Sequence, residues 1–136
     1  MQQAIAICLA GLVSACVGSR ESLSGTWRQV RNTEVTDELR TLDHKGRVEF
    51  QLNLAGGPLA HNSGFASGTL QVKNGFASYS TTAFGGSCRI DFRFTGNSVT
   101  LTQSIGEWHE CGFGHSITAD GTFARVSKDA PRFTPE

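Results

Sequence analysis

The chain has no excess of charge of either sign. Its 136 residues include twelve Lys and Arg against twelve Asp and Glu, and the basic residues form no cluster longer than a pair. A protein without a positive field has little to attract DNA, RNA or anionic lipid. The composition therefore argues against a nucleic-acid partner.

Catalytic motifs are also missing. The sequence contains no nucleophile elbow, phosphate loop, dinucleotide fingerprint or HExxH motif. One carboxylate pair, Asp91 with Asp120, stays open as an acid and base because spacing alone does not exclude it. We therefore expect a protein that is not an enzyme and that uses no cofactor or metal.

The first residues have the features of an export signal. The apolar run at residues 4–13 is too short to cross a bilayer but fits the hydrophobic region of a signal peptide at 1–15. The sequence VSAC at 13–16 resembles the lipobox of bacterial lipoproteins, which implies a diacylglycerol anchor on Cys16. Val17 then favours the outer membrane, facing the periplasm. Two alternatives stay open: a cleaved secretory peptide with an ordinary Cys16 thiol, giving a periplasmic or secreted protein, or a buried N-terminal helix.

The positions of the four cysteines in the sequence predict different roles for them. Cys8 lies in the predicted signal and Cys16 at the predicted anchor, which leaves Cys88 and Cys111 as a pair in an oxidising compartment. Their disulfide would close a loop of roughly 24 residues and stabilise the fold by about 3 kcal/mol. The alternative for this pair is a metal site or two reactive thiols.

The remaining sequence predicts one small β-domain. We expect a polar tether at 16–23, the domain at 24–127 and a flexible, proline-containing tail at 128–136. Apolar and polar residues alternate at 47–54 and again at 88–95, as in strands with one buried face. Asn74-Gly75 and Gly96-Asn97 are hairpin turn sequences, Trp27 is expected to fill the core, and 121–126 is expected to form the closing strand.

One segment predicts something other than a strand. At 32–46, Val35, Leu39 and Leu42 recur at helical spacing, which indicates a short surface helix or a long loop. The whole pattern then predicts an all-β fold of seven or eight antiparallel strands with one disulfide. A small barrel or curled sheet of lipocalin-like or avidin-like kind removes exposed sheet edges, and a Greek-key sandwich is the alternative.

Three elements of the second half resemble a pattern found in small, uncharacterised bacterial envelope lipoproteins. They are a strand that begins at Cys88, the turn Cys111-Gly-Phe-Gly, and the closing sequence Asp-Gly-Thr-Phe at 120–123. The family pattern ends in Tyr where this chain has Phe123. The resemblance implies the disulfide and the β fold, and it carries no activity with it.

The general plan is also similar, more loosely, to that of bacterial lysozyme-inhibitor lipoproteins. That likeness implies a protein-binding role in the envelope, with a peptidoglycan hydrolase or a toxin as partner, through exposed glycine-rich loops at 56–64, 84–87 and 112–116. The candidate binding residues are His61, Phe84, Gly85, Gly86, Gly112, Phe113, Gly114 and His115.

Two further alternatives concern function. His109, Cys111 and His115 have the chemistry of zinc ligands. Because Cys111 has a better partner in Cys88, however, we expect both histidines to be solvent-facing loop residues. A carrier of a small lipophilic ligand inside the barrel is the alternative to a binding module. A carrier needs an internal cavity above about 300 Å³, whereas large aromatic side chains would fill a narrow barrel.

Overall fold

A computed structural model describes residues 21–32, 35–56 and 62–133 of the chain. The predicted signal peptide, Cys16 and His61 lie outside the described residues.

Eight antiparallel strands form a single curled sheet with the order β4-β3-β2-β1-β8-β7-β6-β5. The strands are β1 (Gly25–Asn32), β2 (Val35–His44), β3 (Arg47–Ala55), β4 (Ser63–Gln71), β5 (Phe76–Thr81), β6 (Cys88–Thr95), β7 (Ser98–Ile105) and β8 (Gly121–Ser127). The two sheet edges, β4 and β5, are joined by a tight turn, at which Lys73 bridges to Phe76, and the Tyr79 ring of β5 lies against Gly68 of β4. The predicted all-β fold, a nearly closed barrel, is thus confirmed. The alternative of a Greek-key sandwich is wrong, because all neighbouring strands in the sheet are consecutive in sequence except the pair β1 and β8.

The predicted helix or loop at 32–46 is wrong, because β2 occupies most of that segment. Its inward positions include Asp37 and Thr41, and the apolar Leu42 lies on the other face. Polar residues at inward positions hide the two-residue period of a strand and leave an apparent helical spacing. At Lys45 and Gly46, φ values of 58° and 96° form the tight turn into β3, as a primed hairpin turn requires.

The two hairpin turns expected from the sequence are both present. Asn74 and Gly75 have φ values of 52° and 77°, the combination that a type I′ turn needs. A side chain at Gly75 would lie 2.7 Å from the Phe94 carbonyl oxygen. Gly96 begins the β6–β7 turn with a φ of 59°. These turns fix the register of both hairpins.

Aromatic side chains fill the barrel centre. Trp27, Phe50, Phe92 and Phe123 are almost fully buried. The Phe50 and Phe92 rings lie 5.0 Å apart, and Trp27 meets Phe94 edge to face at 5.4 Å between ring centroids. The expectation that Trp27 belongs to the core is confirmed. These rings pack closely and form the hydrophobic core at the barrel centre.

The barrel has two different ends. The hairpin end carries the tight turns at 45–46, 74–75 and 96–97, together with the start of β1 and the finish of β8. The loop end carries the connections at 82–87 and 106–120, together with the end of β3 and the start of β4. Leu23, within the predicted tether, is buried in the core at the hairpin end. In the predicted tail, the Arg132 carbonyl accepts a hydrogen bond of 2.8 Å from Arg40 Nη1.

Candidate binding surface at the loop end

A disulfide attaches the longest connection to the barrel wall. Cys88, the first residue of β6, is bonded to Cys111 with an S–S distance of 2.02 Å. Both cysteines are buried in the core. The predicted pairing is confirmed, and it excludes Cys111 as a thiolate ligand for zinc.

The connection at 106–120, here called the pinned loop, folds back over the loop end of the barrel. Phe113, Ile117 and Ala119 are buried, so the loop contributes to the core. Internal hydrogen bonds keep it compact, including Phe113 N to Trp108 O at 2.8 Å. Gly114 N donates to Ser63 O at 2.8 Å, which ties the loop to the start of β4.

Gln103 holds the two ends of the pinned loop together. Its Nε2 donates to Gly106 O at 3.0 Å, and its Oε1 accepts from Ala119 N at 2.9 Å. Because one side-chain amide satisfies a backbone group at each end, it acts as a clamp across the loop. Sequence reasoning missed Gln103, since a glutamine on a strand carries no pattern that points to this role.

The structure brings two of the predicted binding loops into contact. The Phe84 ring lies over Gly112, where an added Cβ would be 2.7 Å from the ring. In the same way the Glu110 side chain lies over Gly86. Phe84 is 50% exposed, which makes it one of the few large apolar side chains on the surface. Gly112 thus serves as a flat platform under an exposed aromatic ring.

The other candidates of the pinned loop divide between core and surface. Phe113 is buried, and its ring fills the space that a side chain at Gly64 would need. His115 is exposed and its ring lies 4.8 Å from that of Trp108. The His109 ring also contacts Trp108, with 5.0 Å between the ring centroids. Within the described ranges, no three His, Cys, Asp or Glu side chains are grouped so that they could hold a metal ion.

The pinned loop is acidic. Residues 106–120 include Glu107, Glu110 and Asp120 but no Lys or Arg. Arg31 of β1 reaches the loop through Nη2, which donates to Thr118 O at 2.9 Å. Its Nε, however, is paired with Asp37 at 2.6 Å. The pinned loop itself therefore has a net negative charge, and its Glu110 side chain lies over Gly86 in the loop that carries Phe84.

The two carboxylates considered as a catalytic pair belong to separate hydrogen-bond networks. Asp91 accepts from Ser78 Oγ at 2.6 Å and Arg89 Nε at 2.8 Å. Burial raises the pKa of Asp91, but hydrogen bonds from Ser78, Arg89 and Ser104 outweigh that effect and hold the pKa below its usual value. Asp120 instead accepts from Gln103 N at 2.6 Å. These contacts give each carboxylate a structural role.

Removal of the disulfide is expected to destabilise the protein by about 3 kcal/mol, because the bond closes a loop of roughly 24 residues in the unfolded chain. The variant Cys88→Ala/Cys111→Ala keeps both positions apolar. Urea unfolding of this variant should match that of the reduced wild type, and reductant should not change the variant further. Equal stability of the oxidised and reduced wild type would contradict the expectation.

The described part of the chain contains no helix able to span a bilayer. Comparison of the sequence and fold with protein-family models, curated proteins and solved structures found no match.

Proposed function

We propose that the protein is a lipid-anchored cell-envelope binding module, without enzymatic activity, that binds a protein partner through the loop end of its barrel. The observation that carries this proposal is the half-exposed Phe84 ring on the Gly112 platform, held in place by the disulfide of the pinned loop. Aromatic side chains, Phe among them, are enriched at protein interfaces. A prearranged anchor also loses little entropy on binding.

The position of the start of β1, where the chain enters the barrel, supports the loop end as the binding end. The chain enters β1 at the hairpin end, nine residues after Cys16. A lipid on Cys16 would therefore hold the hairpin end near the membrane. Strands of eight to ten residues then raise the loop end by roughly 25 Å from it. In this orientation Phe84 and the pinned loop face away from the lipid.

Charge favours a partner with a basic surface. The pinned loop contributes Glu107 and Asp120 as exposed acidic groups, and complementary charge increases association rates and selects among partners. The most specific form of the proposal is an inhibitor of a lysozyme-like hydrolase, or an immunity-type protein that neutralises a toxin.

Core packing disfavours the alternative of a ligand carried inside the barrel. Trp27, Phe50, Phe92 and Phe123 occupy the centre with almost no exposed surface. A lipophilic ligand in that place would have to displace at least one aromatic ring from a close-packed core. Binding at the surface of the loop end requires no such rearrangement.

Phe84→Ser is expected to weaken partner binding by at least about tenfold, the loss typical of an interface anchor. The full chain with Cys16→Ser would be titrated with a purified lysozyme and scored for both binding and inhibition of peptidoglycan hydrolysis. Val126→Ser is the matched control, because Val126 is also about half exposed but lies near the hairpin end. Absence of binding and inhibition by the Phe84-containing protein would overturn the inhibitor form of the proposal, and equal losses in both variants would argue against the loop end.

The anchor is tested separately by metabolic labelling. Cells that express the wild-type chain should incorporate palmitate into the protein, and cells that express Cys16→Ala should not, because Cys16 is the proposed acylated residue. Membrane fractionation should then find the variant in the soluble fraction. Equal labelling of both proteins would refute lipidation at Cys16.

A further inference from the structure

The barrel has an open seam between its two edge strands, β4 and β5. Lys73 and Phe76 exchange backbone hydrogen bonds of 3.0 and 2.9 Å at the turn that joins these strands. Beyond that pair, no ladder connects β4 with β5 within the ranges that the structure describes. Toward the loop end the seam contains a cleft of about 180 Å³, and Phe84 forms part of its wall. The seam therefore opens at the proposed binding surface.

On β4, alternate residues direct their backbone groups into the seam. Val72 N donates to Gly46 O at 2.8 Å on the side of β3, and the register of β3 with β4 has no bulge. Consecutive residues of an antiparallel strand present their N–H and C=O groups to opposite sides. Phe65 and Thr69 lie an odd number of residues from Val72, so their backbone groups face the seam.

β5 has the same arrangement on the other side of the seam. Phe94 N donates to Gly75 O at 2.7 Å on the side of β6. The alternation of the strand then directs the backbone groups of Ser80 toward β4. The Tyr79 ring closes the floor of the seam on the core side, where it packs edge to face on Phe50 with 5.3 Å between ring centroids. The seam is thus a groove with main-chain donors and acceptors on both sides.

Neither edge strand carries the features that protect an exposed sheet edge. Charged residues, prolines and bulges keep other chains from adding to such edges. The sequences SGFASGTLQ of β4 and FASYST of β5 contain no charged residue and no proline, and their registers with β3 and β6 contain no bulge. The pinned loop adds one backbone bond to the β4 edge, from Gly114 N to Ser63 O at 2.8 Å. Both edges are therefore suited to the addition of a further strand.

We propose that the partner of the proposed function, on which this inference rests, contributes a single extended segment that enters the seam from the loop end. The segment pairs antiparallel with β4 and places one apolar side chain in the cleft beside Phe84. Extended peptides bind free sheet edges in this way, with affinity from main-chain hydrogen bonds and selectivity from pockets for alternate side chains. A strand of a second copy fits less well, because one of its sides is already bonded within its own sheet.

Charge defines the composition of the segment. The edge strands are uncharged, so the part of the segment that lies between them is uncharged as well. At the loop end, Glu110 lies over Gly86 in the loop that carries Phe84. A basic residue where the segment leaves the seam would complement this carboxylate. The C-terminal end of the segment lies there, because β4 begins at the loop end and the pairing is antiparallel.

The probe is a blocked peptide of alternating Thr and Val residues, about as long as β4, that ends in a pair of Lys residues. A heteronuclear NMR titration of the full chain carrying Cys16→Ser should give saturable shifts of the Phe65, Thr69 and Ser80 amides, and hydrogen exchange at these amides should slow. The same peptide with N-methyl groups on alternate residues should bind at least about tenfold more weakly, because it loses several main-chain donors. Glu in place of Lys should weaken binding several-fold.

Proline at an edge position removes an N–H from the seam and leaves the opposite ladder intact, an arrangement that edge strands tolerate. Phe65→Pro should weaken peptide binding at least about tenfold relative to Phe65→Val, because both lack the aromatic ring but only valine keeps the N–H and leaves room for the added backbone. Ser80→Pro against Ser80→Val makes the same comparison on β5, and it serves as the test if Phe65→Pro does not fold.

Several results would overturn the proposal. They are the absence of saturable shifts along the seam, equal affinity for the N-methylated peptide or for the peptide ending in Glu, and equal affinity of the proline and valine variants. Slow exchange of the Phe65 and Thr69 amides without peptide would also do so, and if it grew with protein concentration a second copy would be the occupant. Peptide binding without lysozyme binding would instead support the seam and overturn only the inhibitor form of the proposed function.

Discussion

Replacement of Trp27 by alanine is expected to lower the free energy of unfolding by about 4 kcal/mol, the cost of removing a fully buried aromatic side chain from a core. The loss has more than one source. Trp27 Nε1 donates a buried hydrogen bond of 2.9 Å to Thr41 Oγ1, and the face of the ring supports the Arg125 guanidinium. Alanine would leave a cavity and remove both contacts.

The matched control for Trp27→Ala is Trp27→Phe, which keeps an aromatic ring but has no N–H for Thr41. We expect it to cost about half as much, since most of the packing area is retained. Urea unfolding followed by far-ultraviolet circular dichroism would measure both variants, and Trp108 remains as the only tryptophan for a fluorescence probe. A loss below about 1 kcal/mol for Trp27→Ala would contradict the assignment of this ring to the core.

Asp37→Ala is expected to cost about 3 to 5 kcal/mol, the range found when one partner of a buried ion pair is removed. The Asp37 side chain is fully buried on β2. It accepts hydrogen bonds from Gln29 Nε2 at 3.0 Å, Arg31 Nε at 2.6 Å and Ala55 N at 2.9 Å. Its removal leaves three donors without their acceptor and loosens the junction of β1, β2 and β3 at the loop end.

Glu38 provides a control on the same strand. It pairs with Arg28 and Arg40, but on the outer face, where its side chain and both partners are partly exposed. Exposed ion pairs contribute little, so Glu38→Ala should cost no more than about 1 kcal/mol. Similar losses for Asp37→Ala and Glu38→Ala in urea unfolding would contradict the role given to burial.

Local turn chemistry explains why much of the fold was predictable from sequence. The hairpin turns at 74–75 and 96–97 depend on residues that tolerate positive φ, and the alternation at 88–95 matches the buried face of β6. The sequence pattern did not predict strand β2, and the reason is physical. Asp37 and Thr41 point inward because partners from distant parts of the chain satisfy them, and no local pattern reveals such partners.

The candidate site was predictable to a smaller degree. The disulfide followed from the number and position of the cysteines, and glycine content indicated the loops at 84–87 and 112–116. The contact of Phe84 with Gly112 and the Gln103 clamp join residues far apart in sequence. Contacts of this kind depend on the closed barrel, so the sequence alone did not indicate them.

The pairing of β1 with β8 has a consequence for how the molecule is assembled. Trp27 is registered against Arg125, and an Arg125 hydrogen bond to Ser22 spans 103 residues. Neighbouring hairpins form quickly because their ends are close in the chain, whereas an end-to-end pairing of this length is entropically slow. The sheet therefore cannot be completed until its last strand is available, and before that moment the first strand exposes an edge to which another chain can add.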